Sequence, residues 1–170
     1  MQILLIRHGE SEDNFLDENY DGTKDLPLTP TGRIQVEKMS KRVLKEFPPD
    51  FIWSSTLKRA IETTEVLSNT IGCPVKYLDN LREQQESESN LEFRFRGETV
   101  LSIIKEKSKA YNRIAVITHG GMITKILESF VQLPHENNIW FNTNNTGIHC
   151  LDYLKDLQVI RFGNSTSHLD

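Results

Sequence analysis

The sequence Ile-Leu-Leu-Ile-Arg-His-Gly at residues 3–9 decides the fold. Residues 114–121, Ile-Ala-Val-Ile-Thr-His-Gly-Gly, repeat the same order of an apolar run, a histidine and glycine. Short apolar runs of this kind predict buried strands, and ligands of open α/β sheets bind at the carboxyl edge of the strands. If the two strands are neighbours, His8 and His119 meet in one pocket beside Arg7. Such a pocket is suited to an anion.

Strands and helices alternate along the chain. Apolar segments at 51–53 and 74–78 predict two more strands, and an edge position would tolerate the proline of the second. Helical spacing predicts helices from Pro30 with Thr29 as N-cap, from about residue 57 to a C-cap at Gly72, over 98–111, and over about 122–131.

Residues 146–153 and 157–162 predict an antiparallel hairpin at the end of the chain. The predicted fold is therefore α/β: a three-layer α/β/α sandwich whose central sheet is mainly parallel, with an antiparallel C-terminal strand pair. We predict one domain over residues 1–170, with a polar loop at 10–28. Residues 79–97 are too polar and aperiodic to predict burial, and we interpret them as a short lid or loop.

Composition limits the function classes. The 170 residues carry a net charge of −4, which gives no general reason to expect nucleic acid or an acidic membrane as partner. Cys73 and Cys150 belong to no metal-binding spacing, and two lone thiols favour a reducing cytosol. No apolar run approaches the ~20 residues that span a bilayer, and Arg7 comes too early for a signal peptide. We predict a cytoplasmic protein without metal or cofactor; the sequence does not indicate its oligomeric state.

The residue types around His8 suit phosphate chemistry. Arginine offers a fixed fork of donors that fits phosphate oxygens, and a neutral imidazole nitrogen can attack phosphorus. Gly9 lets the backbone turn sharply beside the ligand. Arg59 stands one turn into the predicted helix that follows strand 51–53, close to the same sheet edge. Nearby cations lower the pKa of His8 and keep it nucleophilic, whereas His119 is expected to act as a protonated donor.

Several motifs in order resemble the histidine phosphatase superfamily, also called the phosphoglycerate mutase-like family. Residues 7–11 with Asn14 are similar to its Arg-His-Gly-Glu-(Ser/Thr) signature, and residues 22–35 to its Gly, Asp, Pro-Leu-Thr, Gly and Gln segment. Residues 50–64, 97–99 and 116–121 resemble three further segments. Spaced motifs in the correct order are more specific than any single one. The resemblance covers roughly residues 2–150.

The resemblance implies a role for each matching residue. His8 would become the phosphohistidine, and Arg7, Arg59 and His119 would hold the phosphoryl oxygens. Asn14 would donate to the phosphate, and a carboxyl group would protonate the leaving oxygen. The predicted catalytic residues are His8, Glu83 and His119, and the predicted substrate-binding residues are Arg7, Asn14, Arg59 and Gly120.

Glu83 stands where the family's proton donor is expected, but Glu86, Glu88 and Glu92 lie in the same acidic stretch and stay open as alternatives. Family members commonly have a Gly-x-Trp-Glu-Gly element after this acid. No tryptophan occurs in residues 84–96. We therefore expect an abbreviated lid and a wide leaving-group side.

The predicted activity is metal-independent hydrolysis of phosphomonoesters through a phosphohistidine. The substrate class stays open among small phosphomonoesters, a sugar phosphate, a nucleotide-loop phosphate of cobamide synthesis and a phosphoprotein. A phosphoglycerate mutase-type transferase is the first alternative, although mutases must exclude water and tend to be longer. A non-catalytic phosphate-binding regulatory module is the second, although such a module would be expected to lose His8 or His119.

Overall fold

The computed structural model describes residues 1–16 and 25–170. The part of the predicted polar loop at 17–24, with Gly22 of the resemblance, lies outside them. In chain order the strands are β1 (Gln2–Arg7), β2 (Phe51–Ser54), β3 (Val75–Tyr77), β4 (Arg113–Thr118), β5 (Ile148–Leu154) and β6 (Leu157–Ser165). The helices are α1 (Pro30–Glu46), α2 (Lys58–Ile71), α3 (Asn90–Lys107) and α4 (Gly120–Phe130), and short 3₁₀-helices cover Glu12–Phe15 and Asp79–Leu81.

The six strands form one sheet in the order β3-β2-β4-β1-β5-β6. The strands β3, β2, β4 and β1 are parallel to one another. β5 pairs antiparallel to β1, and β6 pairs antiparallel to β5. The α/β prediction, the mainly parallel sheet and the C-terminal hairpin are confirmed. The strand β3 lies at an edge of the sheet and begins at Val75, so Pro74 comes just before it. Because β1 and β4 are neighbours, with Arg7 paired to Thr118, the two His-Gly turns lie side by side.

Alternate residues of β1 separate two apolar clusters. Ile3 and Leu5 pack on one face with residues of α3 and α4, and Leu4 and Ile6 pack on the other face with residues of α1 and α2. Side chains of a strand point alternately to opposite faces, so a strand that is apolar throughout must be covered on both sides. This produces the predicted three layers.

Helix ends follow the predicted signals. The Thr29 hydroxyl accepts from the backbone N–H of Gly32 over 2.9 Å, and Pro30 is the first residue of α1. Gly72 ends α2 at φ +81°, a left-handed conformation that glycine adopts without steric cost.

The prediction of a loop throughout residues 79–97 is wrong. Asp79–Leu81 is a 3₁₀-helix and α3 already begins at Asn90, so only residues 82–89 are irregular; α3 also ends at Lys107, before the predicted 111. Leu81 and Phe93 are fully buried. The start of α3 had a sequence signal, because Ser89 and Glu92 form a capping box in which each side chain accepts from the other's backbone N–H.

Candidate active site

His8 directly follows β1 and is buried. Its Nδ1 lies 2.7 Å from the carbonyl oxygen of Gly9. A carbonyl only accepts, so Nδ1 carries the hydrogen and Nε2 carries the lone pair. The local turn thus fixes the tautomer that a nucleophilic imidazole needs.

His119 follows β4 and is the N-cap residue of α4. It is fully buried, and its ring centroid lies 5.0 Å from that of His8. Its Nε2 lies 2.8 Å from the Ser55 hydroxyl, while its Nδ1 is buried without a hydrogen-bond partner among residues 1–16 and 25–170. A buried polar atom of this kind is costly unless a ligand satisfies it.

Two arginines flank the imidazoles. Arg59, the second residue of α2, is buried, and its Nε–H donates to Nε2 of His8 over 3.2 Å. Arg7 Nη1 donates to the Thr143 carbonyl over 2.7 Å. The Nε of Arg7 has no partner in the part of the chain that the structure describes. Asp13, 3.5 Å from Arg59, partly offsets the positive charge.

Burial and these cations set the protonation of both histidines. Burial is the main cause that lowers the pKa of His8 well below 6.5, and Arg59 and Arg7 lower it further. The pKa of His119 is also lowered well below 6.5, by burial and then by His8 and the arginines. Both causes disfavour the imidazolium form of His119 in the free protein. The expectation that His119 acts as a protonated donor concerns the phosphate-bound protein and stays a prediction.

Glu83 lies at the amino end of α4. Its Oε2 accepts from the backbone N–H of Gly121 over 3.0 Å, and its Oε1 accepts from that of Gln84 over 3.0 Å. Helix N-termini favour a carboxylate through their free N–H groups and their dipole. Burial lowers the pKa of Arg7, and Glu83 opposes this shift more than any other charged group does. The Glu83 carboxyl and the Arg7 guanidinium are therefore neighbours.

The other acids of this segment have different contacts. Glu88 forms an ion pair with Arg96 at 2.6 Å, and Glu92 caps α3. Glu86 is exposed.

Asn14 and Gly120 differ in their position. Gly120 begins α4, and a Cβ on it would lie 3.8 Å from Nε of Arg7. Asn14 is exposed, and its Oδ1 accepts from the backbone N–H of Ser11 as a cap of the 3₁₀-helix Glu12–Phe15. The structure thus brings Gly120 beside Arg7. Asp13, the residue before Asn14, lies 3.5 Å from Arg59.

The model of the histidine phosphatase superfamily (branch 1) matches residues 3–88 and 83–166. The chain belongs to this superfamily. The resemblance that the sequence motifs indicated is confirmed, and the match extends beyond residue 150 into the C-terminal hairpin.

Curated relatives in the superfamily include phosphatases and mutase-like proteins. An uncharacterized phosphatase of Bacillus subtilis is 35% identical over 82 residues, which are 48% of this chain and 42% of that protein. A broad-specificity phosphatase of Saccharomyces cerevisiae is 25% identical, with 99% of this chain and 87% of the relative covered. A phosphoglycerate mutase-like protein of Arabidopsis thaliana is 27% identical, over 75% of this chain and 70% of its own length.

Solved structures share the fold. The alpha-ribazole phosphatase of Shigella flexneri superposes with a TM-score of 0.85 at 22% identity, covering 98% of this chain and 97% of that one. The two proteins therefore share the same fold.

Several supporting residues were not singled out from the sequence. The Ser55 hydroxyl contacts His119, and the Thr63 hydroxyl accepts from the backbone N–H of Gly9. The backbone N–H of Thr146 lies within hydrogen-bond distance of the carbonyls of Arg7 and His8. Ser55 and Thr63 lie within residues 50–64, a segment that resembles the superfamily, so this resemblance could have indicated them. Thr146 lies in an irregular segment before β5 that matches no quoted motif.

The three arginines of the predicted lid make hydrogen bonds and ion pairs within the protein. Arg96 donates to the carbonyls of Asn80, Arg82 and Glu83 and pairs with Glu88, so it fixes the irregular segment 82–89. Arg94 is buried against Glu128 at 3.2 Å. Arg82 donates to the Thr56 hydroxyl and lies 3.3 Å from Asp79.

A cavity of about 940 Å³ opens beside Glu83 and Gly121. Its further lining includes Lys125, His135, Glu136 and Trp140. The tryptophan of this cavity comes from the segment after α4, whereas residues 84–96 contain none.

Two further properties concern the described ranges as a whole. No group of three or more His, Cys, Asp or Glu side chains in residues 1–16 and 25–170 could hold a metal ion. Within the same ranges, no helix has both the length and the apolar character required to cross a membrane.

Proposed function

We propose that this chain is a metal-independent phosphatase, which hydrolyses small phosphomonoesters in the cytoplasm through a phosphohistidine at His8. The observation that carries the proposal is the state of the His8 ring. Its Nδ1–H is held by the Gly9 carbonyl, and its Nε2 lone pair accepts from Arg59. The nucleophilic nitrogen of a neutral imidazole therefore lies next to a guanidinium that can bind phosphate.

The first step transfers the phosphoryl group. The lone pair on His8 Nε2 forms a bond to phosphorus while the bond from phosphorus to the leaving oxygen breaks. Glu83 begins this step as the carboxylic acid, a form that the negative charge of the bound phosphate favours. It gives its proton to the leaving oxygen, so an alcohol leaves and Glu83 becomes a carboxylate. The hydrogen bond between Nδ1–H and Gly9 stabilises the positive charge that the ring acquires.

The second step hydrolyses the intermediate. The Glu83 carboxylate takes a proton from water as the water oxygen bonds to phosphorus. The bond between Nε2 and phosphorus breaks, its electron pair returns to the ring, and inorganic phosphate leaves. General acid and base catalysis by one carboxyl group in turn restores the starting state.

The phosphoryl oxygens would be held by the cations of the chain. Arg59, which donates to His8 in the free protein, would donate to these oxygens instead. The Nε–H of Arg7 and the Nδ1 of His119 are buried and have no hydrogen-bond partner in residues 1–16 and 25–170, so both can contact the phosphoryl group. A bound dianion raises the pKa of His119, so it can become the protonated donor in the complex. Guanidinium and imidazolium groups neutralise equatorial oxygens as a metal ion does elsewhere.

Hydrolysis is favoured over mutase transfer by the leaving-group side. Glu83 lines the cavity of about 940 Å³, whose Trp140 is 62% exposed, so water has a path to the carboxyl group. A mutase must exclude water from its intermediate. The non-catalytic alternative is disfavoured because His8 and His119 are both present and their rings are adjacent.

Rapid alkaline quenching of the enzyme during turnover of ³²P-labelled p-nitrophenyl phosphate tests the proposal. We expect acid-labile, base-stable label on the peptide that contains His8, and turnover that persists in EDTA and is inhibited by vanadate. His8→Asn should retain the wild-type circular dichroism spectrum and lose both label and turnover. Turnover by the His8→Asn protein, or label on another residue, would refute the mechanism.

A further inference from the structure

The cavity beside Glu83 is where the leaving group of a substrate would lie, and this inference rests on the proposed function. Glu83 and Gly121 form its inner wall, and Gly121 follows His119 by two residues. The charges and surfaces of the remaining wall therefore select among phosphomonoesters.

Carboxylates already neutralise the two basic groups that line the cavity. Lys125 Nζ lies 3.1 Å from Glu128, which is buried, and His135 Nε2 lies 3.0 Å from Glu98. Buried Arg94 pairs with both acids, at 3.1 Å to Glu98 and 3.2 Å to Glu128. The network has two fixed positive charges and two negative charges, so its net charge is zero when His135 is neutral.

The remaining charges on this side are unfavourable for an anion. Glu83 and Glu136 line the cavity and add two carboxyl groups. The arginines of the adjacent segment are held elsewhere, since Arg82 contacts Thr56 and Asp79 and Arg96 contacts Glu88. A second negative charge on the substrate would thus meet no uncompensated cation among the described lining residues.

The rest of the wall combines apolar surfaces with side-chain amides. Trp140, Phe93 and Leu91 supply the apolar surface. Asn90 and Asn138 supply neutral donors and acceptors. An exposed indole next to amides suits a ring that has hydroxyl groups and one flat apolar face.

We propose that the leaving group of the substrate is an uncharged, hydroxylated ring, as in a sugar or nucleoside phosphate, which stacks on Trp140. Substrates whose leaving group is a carboxylate are selected against by Glu136 and by the neutralised network.

Glycerol 3-phosphate and 3-phosphoglycerate test the charge preference. They differ at one position only, where the first has a hydroxymethyl group and the second a carboxylate. We expect kcat/KM to be about tenfold higher for glycerol 3-phosphate. Glu136→Gln should reduce this preference about threefold, because it removes a negative charge from the wall. Glu37→Gln, an exposed change on α1 across the sheet, is the matched control and should leave the ratio unchanged. A wild-type preference for 3-phosphoglycerate, or a ratio that Glu136→Gln does not alter, would overturn the charge argument.

Trp140→Ala tests the stacking surface. We expect kcat/KM for glucose 6-phosphate to fall about fivefold or more and that for glycerol 3-phosphate to fall less than about twofold, because only the hexose has a ring to stack. Ile139→Ala is the matched control, since Ile139 is an adjacent exposed apolar residue that is not part of the lining. Equal losses for the two substrates, or no loss for the hexose phosphate, would overturn the stacking argument.

Failure of this inference is distinguishable from failure of the proposed function. p-Nitrophenyl phosphate releases phosphate in the wild-type protein whenever the His8 chemistry operates, whichever natural leaving group is preferred. Hydrolysis of p-nitrophenyl phosphate together with a preference for carboxylate substrates refutes the leaving-group class alone. Absence of any His8-dependent hydrolysis refutes both.

Discussion

The backbone N–H of Gly121 donates to Oε2 of Glu83 over 3.0 Å, and a Cβ at position 121 would overlap Oε1 of the same carboxyl group. The absence of a side chain at one residue of α4 therefore determines where the proposed proton donor lies. This relationship joins residues from two distant segments of the chain, and it gives Gly121 a definite physical requirement.

Gly121→Ala should displace Glu83 and slow the hydrolysis of alkyl phosphates by about tenfold or more. p-Nitrophenyl phosphate should be affected less, because nitrophenolate leaves without a proton. Steady-state kcat for the two substrate types measures this difference. Gly120→Ala is the comparison, since its Cβ would make only ordinary contact with Arg7 and should not change the leaving-group dependence. Equal slowing of both substrate types in Gly121→Ala would count against the placement.

Glu83→Gln should lower kcat for alkyl phosphates by about 100-fold while lowering that for p-nitrophenyl phosphate much less. The amide keeps the size of the side chain but has no proton to give. Parallel assays of Glu86→Gln separate the alternatives, because Glu86 lies in the same acidic segment and should show no leaving-group dependence. If the two variants behave alike, Glu83 is not the proton donor.

Arg59→Gln should raise the pKa of His8 and reduce kcat/KM by about 100-fold or more. The sign follows from the charge: a guanidinium beside the ring disfavours the imidazolium, and its removal makes protonation easier, although burial still lowers the pKa. NMR titration of the His8 ring in both proteins measures the pKa change. The exposed Arg33→Gln on α1 serves as control and should alter neither quantity. An unchanged His8 pKa in Arg59→Gln would contradict the electrostatic argument.

Stability should fall as the pH decreases from about 6.5 towards about 4, because burial lowers the pKa of His149 and of His168 from 6.5 to about 4. In this window the unfolded chain binds more protons than the folded chain, so acid favours unfolding; above about pH 6.5 these groups contribute no slope. Thermal unfolding across this range measures the effect. His168→Asn should make the decline shallower, and a Tm independent of pH would contradict it.

Local pattern predicted most of the fold. The apolar runs before His8 and His119 indicated buried strands, and both form strands in the structure. The prediction of a loop was wrong at 90–97, because the polar composition of this segment did not indicate that Phe93 and Arg94 are buried in a helix. Arg94 is buried because Glu128 of α4 neutralises it, and this partner lies 34 residues away.

Within the site, residue types and motif order indicated His8, His119, Arg7 and Arg59, and the structure brings these four side chains together. The sequence did not indicate Thr146, because a backbone N–H that contacts the carbonyls of Arg7 and His8 can come from any residue type. Nor did it indicate the contact of Asp13 with Arg59.

The sequence alone thus determined the fold class and the three layers, because hydrophobic periodicity is a local property. Tertiary structure decided the burial of His119, the position of Glu83 and the charges around the cavity of about 940 Å³. These depend on desolvation and on charges within a few ångströms, which come from segments that only folding brings into contact.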